Sequence, residues 1–170
     1  MTLSRPGTTR TGVAIRPATP ADLPALGRFG ALLVRTHHQL DPERFIPSTP
    51  RTEHGYASYL GSQLQEPAVV VLVAERDGDI LGYTYAAVEG HDYMSLRGPA
   101  GVLHDIVVDP LHRREGVGRM LLDATLAWHE ARGAPRVVLS TAARNEAAQR
   151  LFAGAGFRQT MVEMTRELEG

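Results

Sequence analysis

The feature that most constrains the fold is a junction at which a β-rich run gives way to an amphipathic helix. Residues 101–108 read GVLHDIVV, turn through Asp109-Pro110, and meet the stretch RREGVG at residues 113–118. Apolar residues then recur at helical spacing as far as Gly133, a common C-terminal stop for a helix. Together these signals predict a strand, a glycine-containing loop and a helix that packs on a sheet.

The rest of the chain shows the same mixture of elements. Asp77-Gly78 is a hairpin signal between two β-rich runs, and Asn145 is a helix N-cap residue. Hydrophobic periodicity and turn residues predict the order βααβββαβαβ. The predicted strands are 13–19, 68–76, 80–88, 101–108, 136–140 and 157–168, and the predicted helices are 20–40, 52–65, 117–131 and 145–155.

Composition and charge exclude several classes of protein. The 170 residues fit a single domain over 13–170 behind a flexible tail, 1–12, and no apolar run approaches the roughly 20 residues of a membrane span. The absence of cysteine excludes disulfides and a covalent thiol intermediate. The net charge of −1, with scattered signs, makes nucleic acid a poor partner, and no residue spacing indicates a metal site. We expect a cytoplasmic protein, and a homodimer is compatible with the sequence.

The junction also predicts an anion site. A helix start leaves backbone N–H groups unpaired, and its dipole favours negative charge, so a glycine-containing entry can approach a pyrophosphate closely. The nucleotide P-loop is excluded because no Gly-Lys-Ser/Thr follows, and the dinucleotide fingerprint lacks its third glycine.

Two motifs resemble those of the GNAT superfamily of N-acetyltransferases. Arg113, Gly116 and Gly118 are similar to its Arg/Gln-x-x-Gly-x-Gly/Ala signature, and the stretch from Asn145 to Phe157 resembles a second family motif downstream. The resemblance implies an α/β (α+β) fold with a mixed, strongly twisted sheet and helices on both faces. It also implies acetyl-CoA as the cofactor and CoA as a product, with the pantetheine arm lying where two strands splay apart.

The resemblance further implies which residues hold the cofactor. Backbone groups of Ile106, Val107 and Val108 would pair with the arm, and the side chain of Asn145 would hold it near the splay. A plain N-cap is the alternative role of Asn145, and the two roles can coexist. Phe152 is expected beside the sulfur. The pyrophosphate is expected at the loop formed by Arg113, Arg114, Glu115, Gly116, Val117, Gly118 and Arg119.

Acyl transfer to an amine needs a base and a donor to the developing oxyanion. We expect His104 to be the base, since imidazole titrates near neutral pH and His104 shares a strand face with Ile106 and Val108. Arylalkylamine acetyltransferases of this superfamily look as though they place a histidine there, and polyamine acetyltransferases a glutamate. A strand histidine with an ordinary hydrogen bond is the alternative. Asp105 is the second candidate for the base, but its side chain should point away from His104 unless a bulge intervenes. The Ile106 N–H is the expected donor to the oxyanion.

One residue departs from the family pattern. Phe152 stands where many members have the tyrosine that protonates the leaving thiolate, and a phenyl ring cannot do so. The leading hypothesis is direct acetyl transfer in a ternary complex to a primary amine of a small molecule, a peptide or a protein. The alternative is a non-catalytic acyl-CoA-binding module.

Overall fold

A computed structural model of the chain describes residues 12–169. The predicted tail, 1–12, lies outside this range except for Gly12. No helix within the range is both long and apolar enough to cross a membrane. In chain order the elements are β1 (Ala14–Pro17), α1 (Leu23–Leu40), α2 (Thr52–Gln63), β2 (Val69–Arg76), β3 (Asp79–Glu89), β4 (Ala100–Val108), α3 (Val117–Ala131), β5 (Val137–Leu139) and α4 (Glu146–Gly154).

The five strands form one mixed sheet in the order β1-β2-β3-β4-β5. Neighbouring strands are antiparallel except for β4 and β5, which are parallel. The predicted hairpin between β2 and β3 is confirmed, with Asp77 and Gly78 both at positive φ, as a tight two-residue turn requires. The mixed sheet expected for the fold class is likewise confirmed.

Helices cover both faces of the sheet because side chains alternate along each strand. Val71 and Val73 on β2 pack with the helices α1 and α2, on what we call the α1 side. Their neighbours Val70, Leu72 and Ala74 pack with α3 and α4, on the α3 side. The two clusters form the core, and the central strands β2 and β3 are buried between them.

Helices α1 and α2 approach each other closely through two glycines. A Cβ atom at Gly27 would lie 2.6 Å from the Glu53 carbonyl oxygen, and one at Gly30 would lie 2.2 Å from the Tyr56 ring. Any larger residue would have to displace α2 or turn the Tyr56 ring away. The two glycines therefore determine where the side chain of Tyr56 lies on the α1 side.

The prediction of a final strand over 157–168 is wrong. Residues 157–169 form no regular secondary structure, and Met161, Val162 and Met164 are 70%, 79% and 89% exposed. Their β-forming side chains suit a strand, but a strand needs a hydrogen-bonded neighbour. No strand of the described residues pairs with this segment. The segment contacts the loop after α1 through the Arg44–Glu163 ion pair.

Candidate active site

A β-bulge in β4 decides where the polar side chains of this strand point. Tyr85 on β3 pairs with Asp105, but the next residue, Ala86, pairs with Leu103. His104 is therefore the extra residue, with no partner of its own across the ladder. Such an insertion shifts the alternation of side chains between the two faces.

The bulge brings His104 and Asp105 to the same face. Both line one cleft on the α1 side, whereas Ile106 and Val108 pack on the α3 side. The bulge is the exception allowed for Asp105, which therefore shares a face with His104, whereas the prediction that His104 shares a face with Ile106 and Val108 is wrong. The second prediction assumed strict alternation, which the bulge interrupts.

The pairing of β4 with β5 ends at the same point. The parallel ladder joins residues 101–103 to residues 137–139 and stops immediately before His104. Beyond it, the edge of β4 that faces β5 has no partner strand among the described residues. We call this opening the β4–β5 gap, and it matches the splayed strands that the family resemblance implies.

Backbone hydrogen bonds show which groups of β4 face the gap. Asp109 donates its N–H to the carbonyl of Leu81 on β3 at 2.8 Å. In an antiparallel ladder, pairs bonded in this way alternate with pairs whose backbone groups point outward. Val107 therefore directs its backbone groups to β3, whereas Ile106 and Val108 direct theirs to the gap. Of the three predicted backbone contacts, those of Ile106 and Val108 are available to a ligand.

The start of α3 presents open backbone donors. Gly116 is the N-cap at φ 80°, in the left-handed region that favours glycine, and no side chain caps the helix. The Gly116 carbonyl accepts its intrahelical hydrogen bond from the Met120 N–H. The N–H groups of residues 117–119 therefore have no partner within the helix. A Cβ at Gly118 would meet Val108 and Leu151 at 3.6 and 3.5 Å, so this position faces the end of the gap.

Side chains of the loop before α3 divide into anchored and open ones. Arg76 on β2 donates to Glu115 at 2.9 Å and lies 3.0 Å from the Nδ1 of His112. The Arg76 guanidinium lowers the pKa of Glu115. Arg113 and Arg114 are exposed and make no side-chain hydrogen bond or ion pair with the described residues. These two cations and the open amides suit a pyrophosphate, so the loop fits the predicted anion.

The remaining residues of the predicted cofactor set have other contacts. Arg119 donates to Asp123 at 2.8 Å, and the Val117 side chain is buried in the core, which leaves only its amide for a ligand. The predicted Asn145 cap is confirmed, since its side-chain oxygen accepts from the Ala148 N–H at 3.2 Å. Phe152 is 6% exposed, and its ring packs edge-on against Phe157 at a centroid distance of 5.9 Å.

His104 is held by a carboxylate from the end of β3. Its Nε2 lies 2.7 Å from Glu89 Oε1, and the other Glu89 oxygen accepts from Arg97 at 3.2 Å. An ionised carboxylate only accepts hydrogen bonds, so Nε2 carries the hydrogen. In the neutral ring Nδ1 then bears the lone pair, and the described residues make no hydrogen bond to it.

Beside His104 lies an open cleft of about 460 Å³, which we call the tyrosine cleft. The Tyr85 ring stacks on the His104 ring at a centroid distance of 5.0 Å and an interplanar angle of 24°. Tyr59 meets Tyr85 edge-on, and their hydroxyls are 2.9 Å apart. The cleft is lined by Gly55, Tyr56, Tyr59, Tyr85, His104 and Asp105.

Asp105 is the half-buried carboxylate of this cleft. The Tyr83 hydroxyl donates to it at 2.8 Å. Burial nevertheless raises the pKa of Asp105, because desolvation disfavours its charged form more than Tyr83 and the nearby histidines favour it. Burial and the charge of Asp105 also raise the pKa of Tyr56 to about 12, so this phenol stays neutral.

Sequence reasoning missed the partners of His104. The predicted strand 80–88 stops short of Glu89, but Glu89 is the last residue of β3 and pairs with Ala100 on β4. Tyr56, Tyr59 and Tyr85 were not singled out, because they lie on separate elements and share no motif. The Glu-Gly pair at residues 89–90 was the available signal, since it marks where a strand ends.

Comparison with known proteins gives consistent matches. The family described as Acetyltransferase (GNAT) family matches residues 34–157. The mycothiol acetyltransferase of Thermobispora bispora is 36% identical over 96 residues, 54% of this chain and 31% of that protein. The aminoglycoside N(6')-acetyltransferase type 1 of Klebsiella aerogenes is 28% identical over 103 residues, 61% of this chain and 68% of that protein.

A solved structure shares the architecture. The GCN5-related N-acetyltransferase from Ralstonia eutropha JMP134 superposes with a TM-score of 0.71 at 25% identity, over 94% of this chain and 100% of that chain. The match to the Thermobispora protein is partial, since the chain spans only 31% of its length.

Proposed function

The chain belongs to the acetyltransferase (GNAT) family, and from that premise we propose that it is an acetyl-CoA-dependent N-acetyltransferase acting on a primary amine. The observation that carries the proposal is the bulge of β4. It puts His104 at the point where β4 and β5 part, so that a base borders both the β4–β5 gap and the tyrosine cleft.

The residues around the gap fit a CoA thioester. The amides at the start of α3, with Arg113 and Arg114, would hold the pyrophosphate, and Ile106 and Val108 would offer backbone groups to the arm. Acetyl-CoA, when bound, supplies the acetyl group as a thioester, so that an N–C bond forms, the C–S bond breaks and CoA leaves as the thiol. The chain needs no nucleophile of its own, and it has no cysteine.

His104 would take the proton of the acceptor ammonium at Nδ1. Glu89 fixes the ring through Nε2, and its carboxylate stabilises the imidazolium that forms when Nδ1 is protonated. The outward-facing N–H of Ile106 would donate to the negative charge that develops on the acyl oxygen. Phe152 has no proton to give, so the thiolate would be protonated by solvent.

Thiol release with acetyl-CoA and a panel of primary amines tests the proposal. We expect turnover above the buffer rate and a loss of about 100-fold or more in His104→Ala, the usual size of a general-base contribution. Glu89→Gln should lower kcat less than His104→Ala, because the amide oxygen can still accept from Nε2 and hold the ring. His54→Ala is the matched control, since His54 is an exposed histidine of α2 that does not line the tyrosine cleft.

The test also separates the alternative function. A non-catalytic acyl-CoA-binding module would show a melting shift with acetyl-CoA but no thiol release with any amine or peptide acceptor. Wild-type turnover in His104→Ala across pH 6–9 would remove His104 from the role of base.

A further inference from the structure

The tyrosine cleft has the lining of a site for an organic cation. Three tyrosines, Tyr56, Tyr59 and Tyr85, line it, and its one lining carboxylate is Asp105. No arginine of the described residues 12–169 lines it, and the chain has no lysine, so among these residues His104 is the only lining side chain that can carry positive charge. A bound cation would meet aromatic faces and one half-buried negative charge.

We propose that this cleft binds a second ammonium group of the acceptor, so that the substrate is a diamine or polyamine rather than a simple monoamine. The inference rests on the proposed acetyl transfer and names the substrate class of that same site. One nitrogen is acetylated beside His104, while the other stays charged against Asp105.

The two nitrogens need opposite environments. The attacking amine must lose a proton, and His104 can accept it at Nδ1. A carboxylate beside an ammonium favours the charged form and so opposes that loss. Asp105 therefore suits a group that remains an ammonium, and the Tyr83 hydroxyl keeps its carboxylate in place at 2.8 Å.

Electrostatics also favour an ammonium group beside Asp105. Asp105 has no arginine partner in the cleft, in contrast to Glu89, which is paired with Arg97 at 3.2 Å. The charges of His104 and His37 do not offset the burial of this carboxylate, and an ammonium would compensate its desolvation. A tyrosine ring face would add a cation–π attraction; His104 covers one face of Tyr85, whereas Tyr59 is 52% exposed.

The experiment compares putrescine with butylamine, which has the same carbon chain but a single nitrogen. We expect a kcat/KM ratio of about tenfold or more in favour of putrescine in the wild-type protein, in keeping with one desolvated charge contact. Calorimetry of each amine in the presence of CoA gives a second readout that needs no turnover. Kanamycin forms a third arm, which distinguishes a linear diamine from a polycationic sugar.

Two sets of variants test which residues cause the preference for putrescine over butylamine. In Asp105→Asn the putrescine-to-butylamine ratio should fall towards one. Tyr59 is 52% exposed, so its replacement does not threaten the core. Tyr59→Leu should reduce the ratio more than Tyr59→Phe, because both lose the hydroxyl bond to Tyr85 but only phenylalanine keeps an aromatic face.

The outcomes separate the two proposals. Equal kcat/KM and equal affinity for putrescine, kanamycin and butylamine would overturn the diamine inference while leaving acetyl transfer intact. A preference that survives in Asp105→Asn would also overturn it. Thiol release with none of the amines would overturn the proposed function, whereas a calorimetric preference for putrescine that depends on Asp105 would still support the cation site.

Discussion

The two halves of the candidate site are built differently. The candidate cofactor end is formed mainly by backbone groups of one continuous stretch, residues 106–119, with glycine at positions 116 and 118. The tyrosine cleft uses side chains from α2, β3 and β4, which lie far apart in sequence. A site made of backbone leaves a contiguous motif, and one assembled from side chains leaves none.

The largest effect is expected at the cofactor end, in Gly118→Glu. A glutamate there would bring bulk and negative charge to the open amides at the start of α3, so acetyl-CoA should no longer bind. In the wild type, ligand at 100 times Kd stabilises the fold by about 2.7 kcal/mol, or roughly 5–10 °C for a domain of this size. Thermal melts with and without acetyl-CoA measure the loss.

Two matched variants show why binding fails. Gly118→Gln adds the bulk without the charge, and Gly118→Ala adds only a Cβ at ordinary contact distance from Val108 and Leu151. Melting without ligand shows that each variant folds. A normal acetyl-CoA shift in Gly118→Glu would contradict the assignment of the loop.

Sequence reasoning predicted the strand-loop-helix junction of residues 101–131 well for a physical reason. Hydrophobic periodicity and glycine positions determine where a strand ends and a helix begins, and here those local signals agree with the observed β4 and α3. The hairpin at Asp77-Gly78 and the Asn145 cap were predictable in the same way, because each depends on one or two residues.

The bulge at His104 could not be predicted in this way. It depends on the register of β3 against β4, which no single stretch of sequence specifies. The wrong face predicted for His104 follows from it, whereas the omission of Glu89 follows from a predicted strand that ends at residue 88. The missing last strand has the same origin, since Met161 and Val162 have β propensity but a strand forms only beside a partner.

A second prediction tests whether the tyrosine cleft depends on helix packing. In Gly30→Ala the added Cβ would lie 2.2 Å from the Tyr56 ring, so the ring or helix α2 must move. Overpacking of this kind costs about 1–3 kcal/mol, or a fall of roughly 2–12 °C in Tm. The acetyl-CoA shift should persist, because α1 and α2 do not form the β4–β5 gap.

Gly55→Ala is the matched control in the facing helix. Gly55 has open space around its Cβ position and lies within α2, so alanine should raise stability by about 0.5–1 kcal/mol through helix propensity. If Gly30→Ala were as stable as the wild type, the close approach of the helices would not be what positions Tyr56.

The smallest effect is expected from Asp105, and it depends on pH. Because burial raises the pKa of Asp105 in the folded state, the folded state binds its proton more tightly than the unfolded chain does. The contribution of Asp105 to the free energy of unfolding is therefore fully present below its pKa of about 3.9 in the unfolded chain. It is lost as the pH rises through the pKa of Asp105 in the folded state. At pH 7 the ionised carboxylate destabilises the fold.

Asp105→Asn removes that charge and keeps an oxygen that accepts from the Tyr83 hydroxyl. The variant should melt above the wild type at pH 7, and the difference should shrink as pH falls towards 4, where the wild-type carboxyl becomes neutral as well. Since about 1 kcal/mol moves the Tm of a domain this size by about 2–4 °C, melts across that pH range resolve the change.

Asp105→Ala leaves the buried Tyr83 hydroxyl without its acceptor and should melt lower than Asp105→Asn at every pH. A constant difference between Asp105→Asn and the wild type from pH 4 to pH 7 would show that the carboxylate carries no desolvation cost. The cleft would then offer less reason to bind a cation.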